Sequence, residues 1–172
     1  LVDKNHAAIP SLLAVSALHH YLVRRSLRTQ ISIILESAEP REVNHFALLF
    51  AYGADCVNPY LIFKALETMI EDKDLSLDLE KAKHNYIKAI DKGILKVLSK
   101  MGISTLQSYR GAQIFEAVGL NKNVIDQYFT GTASRINGAS LEVIAQETML
   151  RHQEAFGARI QEQGNLVSGG VY

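Results

Sequence analysis

The side chains that could do chemistry in this sequence are few and scattered. Six histidines, His6, His19, His20, His45, His84 and His152, show no i, i+4 pair of the kind that grips a metal from one helix face. His19 and His20 are adjacent and must face different ways; His19 falls near Leu12, Val15 and Leu22 and reads as a hydrogen-bonded core or boundary residue. Cys56 is the single cysteine, so no internal disulfide and no multi-cysteine zinc or iron–sulfur site can form. It stands in an apolar stretch and is expected to be a packed, inert thiol. Lys81, Lys88, Lys92 and Lys96 step by seven, four and four residues and fall within about 60° of one helix face. Glu80 and Asp91 interrupt them and no aromatic residues interleave, so they read as the solvated back of an amphipathic helix rather than a nucleic-acid stripe. The remaining candidates are polar residues at strand ends, where parallel α/β folds bind ligands. These are Glu36, Asn58, Ser104, Ser108 and Arg110. Ser108-Tyr109-Arg110-Gly111, read as a helix start, could hold an anion on free backbone N–H groups; as the bland alternative, Asn58 and Ser108 are simply helix caps. No catalytic, cofactor-binding or metal residue is assigned.

The elements that would position these groups follow from periodicity and punctuation. Pro10 opens a helix in which Leu12, Val15, Leu18 and Leu22 recur to about Arg28. Ile31–Leu35 is short and β-branched and predicts a buried strand. Pro40 starts a second helix, closed by Gly53. Ala54–Val57 is a second strand candidate, and Asn58-Pro59 begins a helix to about Glu71. The longest helix runs from about Asp78 to Ser99. It contains Gly93, which costs about 1 kcal/mol against alanine and implies a close neighbour. Gly102 closes it, Ile103–Leu106 reads as a third strand, and Ser108 caps a helix to Gly119. Asn121–Tyr128 is a helical turn, 129–138 a loop and Leu141 to about Phe156 a last helix. Gly53 to Tyr60 and Gly102 to Tyr109 share a layout of glycine, short strand, cap and tyrosine. The fold class expected is α/β: helix-rich, with short parallel strands alternating with helices, like part of a (β/α) barrel.

Bulk properties exclude several classes. The chain has 172 residues, and its 18 basic and 18 acidic groups cancel, which leaves no global field for nucleic acid or an anionic membrane. At 19.1 kDa, scaling gives roughly 28,000 Å² unfolded and roughly 8,400 Å² folded, enough burial for one core. With 48% hydrophobic and 21% charged residues, the composition is that of a globular domain. Apolar runs such as Phe46–Tyr52 are too short to span a bilayer. The start at Leu1 and the end at Gly169-Gly170-Val171-Tyr172 suggest a piece of a longer polypeptide.

Longer blocks carry a resemblance. Ile9-Pro10-Ser11-Leu12-Leu13-Ala14-Val15-Ser16-Ala17, Gly53-Ala54-Asp55 with Asn58-Pro59-Tyr60-Leu61, and above all Ser99 to Thr105 with Ser108 to Glu116 resemble the large chain of glutamate synthases. Tyr128-Phe129-Thr130-Gly131-Thr132 and Ser134-Arg135-Ile136 follow in the family's order. Two positions depart from it: Asn44 stands where a histidine is expected, and Ala51 where a glycine is. The resemblance implies a multidomain parent. An amidotransferase domain with an N-terminal cysteine releases ammonia from glutamine. A central domain follows, then an FMN-binding barrel with an iron–sulfur cluster, then a β-helix. The ammonia travels through a tunnel to be condensed with 2-oxoglutarate and reduced to glutamate. Residues 1–164 then belong to one α/β domain, the latter half of the central domain, and 165–172 are a tail or linker towards a missing FMN domain. The segment itself is expected to be inactive, to hold no cofactor, and to couple its neighbours, with FMN and the cluster held elsewhere in the parent. The other reading is a stand-alone module that binds FMN phosphate or a carboxylate at its strand ends. The expected partners are the amidotransferase and FMN domains and, for the isolated piece, a second copy through exposed apolar patches. The expected compartment is the cytoplasm, or the plastid in a plant.

Overall fold

The amphipathic stripes read from the sequence set the helix packing. The computed structural model describes residues 2–157, so the expected tail at 165–172 lies outside the described residues. Ser11–Arg24 is α1, entered through Pro10; a 3₁₀ turn follows at Arg28–Gln30. β1 is Ile34–Glu36, α2 Val43–Ala51, β2 Cys56–Asn58 and α3 Tyr60–Glu71. α4, Leu79–Met101, is capped by the Asp78 carboxylate, which accepts from Glu80 N and Lys81 N. Gly102, with φ +67°, ends α4 in the left-handed conformation. Then come α5 Leu106–Tyr109, β3 Glu116–Leu120, α6 Lys122–Tyr128, β4 Ala133–Ala139 and α7 Leu141–Phe156.

The four strands among the described residues all pair in parallel, in two separate two-stranded sheets, β1–β2 and β3–β4. The helix-rich α/β reading with short parallel strands therefore holds. Several finer expectations do not. Ile103–Leu106 is not a strand. Its chain leaves the Gly102 cap, and the Thr105 hydroxyl accepts from Ser108 N to start α5 three residues early. Ser108 thus lies inside α5 rather than capping a helix to Gly119, and residues 116–120 form β3 instead. The 129–138 segment contributes β4 rather than a loop. Asn58 does not cap α3; Pro59 is the cap residue, and the Asn58 amide donates to Glu36. Cys56 is exposed, not packed. Strand alternation turns Leu35 and Val57 to the core, while the register partners Ile34 and Cys56 face out.

The core lies where α4 crosses α2 and α5. Phe46, Ala47, Ala51, Ile94, Leu98 and Tyr109 form its buried centre. Tyr109 is fully enclosed and donates its hydroxyl to Ala47 O at 3.1 Å. A second cluster joins Leu13 of α1 to Val124, Ile125 and Phe129. The lysine-bearing face of α4 is exposed, as expected, although Ile87 lies 47% exposed beside it. Gly93 does meet a close neighbour: a Cβ there would lie 2.3 Å from Val43 Cγ2. Gly93→Ala gains about 1 kcal/mol of helix propensity but incurs roughly 1–3 kcal/mol of overpacking. We expect a net loss of about 1 kcal/mol in urea unfolding, recovered when Val43→Ala is added. A Gly93→Ala single variant at least as stable as the parent would refute that packing argument.

Candidate functional site

Two places gather polar side chains, at opposite ends of the β1–β2 pair. At the amino end, Asp55 directly precedes β2. One of its oxygens accepts from Arg28 Nη2 at 2.8 Å and Ile33 N at 2.7 Å, and the other from Arg110 Nη2 at 2.5 Å. Arg28 also donates through Nη1 to Ile31 O, through Nη2 to Gly53 O, and through Nε to His19 Nδ1 at 3.0 Å. Arg110 reaches Ala54 O, and its Nε is buried without a hydrogen-bond partner. The two guanidinium side chains are 12% and 17% exposed, so solvent screens this network only in part.

The electrostatics are consistent with that geometry. Burial pushes the Asp55 carboxyl up, but the Ile33 N–H and the two arginines outweigh it and hold the pKa below the usual value. Burial, then the neighbouring His20, Arg28 and Arg110, push the His19 pKa down to about 4. The imidazole is therefore neutral near pH 7 and free to accept from a guanidinium. Its ring also presses on Gly53, where a Cβ would lie 2.6 Å from His19 Cγ and where φ is +122°. That value is open only to glycine. The network ties α1, the 3₁₀ turn, the entry to β1, the α2–β2 joint and the residue after α5. Apart from Arg110 Nε, its charged groups are partnered by one another and by the backbone, which suits a structural clasp.

At the carboxyl end, Glu36 accepts from Asn58 at 3.0 Å across the register partners. The structure therefore brings together two of the five strand-end candidates. Arg110 goes to the other end, about 10 Å away along three strand residues. Ser104 is exposed before α5, and Ser108 accepts from Thr105 Oγ1 within α5. The expected anion site at Ser108–Gly111 does not form, because Tyr109 N and Arg110 N are bonded to Thr105 O and Leu106 O in the helical turn.

Beyond the strands' carboxyl ends lies a pocket of about 400 Å³, lined by Ser11, Leu12, Glu39, Arg41, His45 and Leu61 among others. Apart from His45, counted among the histidines, none of these residues stood out in the sequence as a candidate. Asp55 was missed too, although an aspartate directly after a helix-ending glycine and a buried alanine, in an apolar stretch, was the available signal. Among the described residues no group of three or more His, Cys, Asp or Glu side chains gathers to hold a metal, and no helix is long and apolar enough to cross a membrane.

Comparison with known proteins gives this scaffold its relatives. Residues 1–121 match the family model of the glutamate synthase central domain. The chain is 57% identical over 148 residues to the glutamate synthase (NADPH) large chain of Bacillus subtilis, covering 86% of this chain and 10% of that protein. It is 44% identical over 178 residues to the glutamate synthase (NADH) of Saccharomyces cerevisiae, covering 98% of this chain and 8% of that one. To the ferredoxin-dependent glutamate synthase 1 of Arabidopsis thaliana it is 41% identical over 165 residues, covering 90% and 10%. The chain thus spans about a tenth of the length of the relatives it matches. With the family model covering well over half of its residues and the resemblance running through both the clasp and the core, the chain belongs to the glutamate synthase central domain family.

Proposed function

We propose that this chain is the central-domain segment of a parent enzyme that makes two glutamates from glutamine, 2-oxoglutarate and a reductant. Its own role is to couple the amidotransferase domain to the FMN domain and to wall part of the ammonia path between them. The observation that carries this reading is the clasp. The best-placed charged groups, Arg28, Asp55 and Arg110, hold one another and the backbone of two segments, the entry to β1 and the α2–β2 joint. A part that must keep two active sites in register needs such rigidity.

Cofactors and electron entry fall elsewhere in the parent. One cysteine cannot supply the several thiolates of an iron–sulfur cluster, and among the described residues no glycine-rich loop leads into a helix to cradle the FMN phosphate. The relatives' names carry NADPH, NADH and ferredoxin as donors, and nothing in this segment selects among them. The faces for neighbouring domains are the open sides of the strand pairs. Parallel strands are ordinarily covered on both faces, yet Ile34 is 72%, Val118 68% and Ile136 57% exposed. In isolation these faces favour association of the chain with itself.

The test is a titration of FMN followed by flavin fluorescence, with 2-oxoglutarate followed by calorimetry, against the chain shown to be folded by circular dichroism. We expect no saturation with either. Saturable binding at micromolar concentration would overturn the coupling role and favour an independent ligand-binding module at the strand ends.

A further inference from the structure

We propose that the pocket at the carboxyl ends of β1 and β2 binds a free α-amino acid with an apolar side chain. This inference stands apart from the coupling role, because it rests on the pocket's own lining. At about 400 Å³ the pocket has the size of a small-molecule site. It also lies where parallel strands place ligands.

Its chemistry has three parts. The floor is aliphatic: Leu12 from α1, Leu48 and Leu49 from α2, and Leu61 from α3. One side offers donors. His45 Nδ1 accepts from Arg41 N at 3.1 Å and from Glu42 N at 3.2 Å. A ring nitrogen that accepts cannot carry the hydrogen, so the neutral imidazole is left with its N–H at Nε2. Arg41 is itself a lining residue of the pocket and brings a permanent positive charge to it. The lining also offers an acid: the Glu39 carboxylate, one oxygen of which accepts from Ser11 N at 2.8 Å. A base with an imidazole donor, an acid and a leucine floor match the carboxylate, ammonium and apolar side chain of an amino acid. A simple fatty acid would bring no cation to Glu39, and an amine would bring no anion to Arg41.

The walls are held before any ligand arrives. Pro40 is fully buried. Arg41 O accepts from the Tyr86 hydroxyl of α4 at 3.0 Å, while Ser11 Oγ and Ser37 Oγ bond at 2.6 Å. Backbone order around Arg41 and His45 is therefore independent of the ligand.

The probe is L-leucine, titrated by calorimetry and by two-dimensional NMR into the 172-residue chain. We expect saturable binding, with shifts at Leu61 and His45. Arg41→Gln and Glu39→Gln, both at exposed positions, should each weaken it about tenfold, the worth of one charge-assisted hydrogen bond. Neither 4-methylpentanoate, which lacks the amine, nor 3-methylbutylamine, which lacks the carboxylate, should compete at equal concentration. Failure of L-leucine to saturate a folded chain overturns the site. Unchanged affinity in both variants, or equal affinity for either one-headed analogue, overturns the zwitterion assignment. Flavin and 2-oxoglutarate titrations report on the coupling role separately, so the two readings fail independently.

Discussion

Asp55→Ala is expected to destabilise the chain by roughly 2–4 kcal/mol, which would lower the thermal midpoint by roughly 5–15 °C. The carboxylate is the counter-ion of two guanidiniums at once and the acceptor for Ile33 N. Removing it leaves Arg28 and Arg110 side by side in a site only 12% and 17% open to water. Breaking a fully buried pair from one side costs about 3–5 kcal/mol; the 27% exposure of Asp55 brings the figure down. Arg28 keeps Ile31 O, Gly53 O and His19. Arg110 keeps only Ala54 O, so most of the penalty should sit there. That makes the prediction specific: adding Arg110→Gln to Asp55→Ala should restore part of the lost stability, whereas Arg28→Gln should not. Urea unfolding of the four proteins decides it. A loss below about 1 kcal/mol in Asp55→Ala would class the network with ordinary surface ion pairs.

Much of this architecture was open to sequence reasoning, and the parts that were not share a cause. Helices α1, α2 and α4 came from apolar periodicity, which packing against the core enforces, whereas α3 came from its Asn58-Pro59 start and α7 from the polar residues at its start. Gly53 and Gly102 marked helix ends because both residues have positive φ. Gly93 announced its contact with Val43 for the same kind of steric reason. The β3–β4 pair was hidden because its strands carry the marks of a turn. Gly119 has φ +76°, and a Cβ on Gly138 would lie 2.3 Å from Gly119 O. Two glycines that let backbones approach look, in one dimension, like a helix stop and a flexible loop. Ile103–Leu106 failed in the other direction: its residues suit a strand, but the Thr105 cap and the burial of Tyr109 close a helical turn instead. The clasp was least legible of all. Its members, His19, Arg28, Asp55 and Arg110, are spread over ninety residues of sequence, and only the fold brings them together. The pocket shares that difficulty, since its acid and base lie on a connector without periodicity.

The second large effect is an acid sensitivity that belongs to His19. Its pKa is about 4 in the folded chain, against 6.5 when unperturbed, because burial, His20, Arg28 and Arg110 all oppose the imidazolium. The unfolded state therefore binds the proton more readily, and folding stability must rise with pH across that interval. The contribution is complete above about pH 6.5, falls as the pH drops towards 4 and is fully lost below it. A gap from 6.5 to about 4 corresponds to about 3 kcal/mol if the ring were sealed from water. Its partial exposure brings this to roughly 1–2 kcal/mol. Protonation also deprives Arg28 Nε of its acceptor, so the clasp loosens in the same window. Asp55 acts lower: its depressed pKa adds stability that is present above 3.8 and disappears as the pH falls further. The two residues thus divide the acid limb between them. Urea midpoints should stay level from pH 8 to about 6.5 and fall from there to pH 4.5 in the unaltered chain. In His19→Gln, which can still accept from Arg28 but does not titrate, the fall should be much shallower. His20, whose pKa is lowered by burial and by Arg24, accounts for the slope that remains. Identical slopes in the two proteins would mean that the imidazole is solvated in the folded state and that the clasp does not depend on its neutrality.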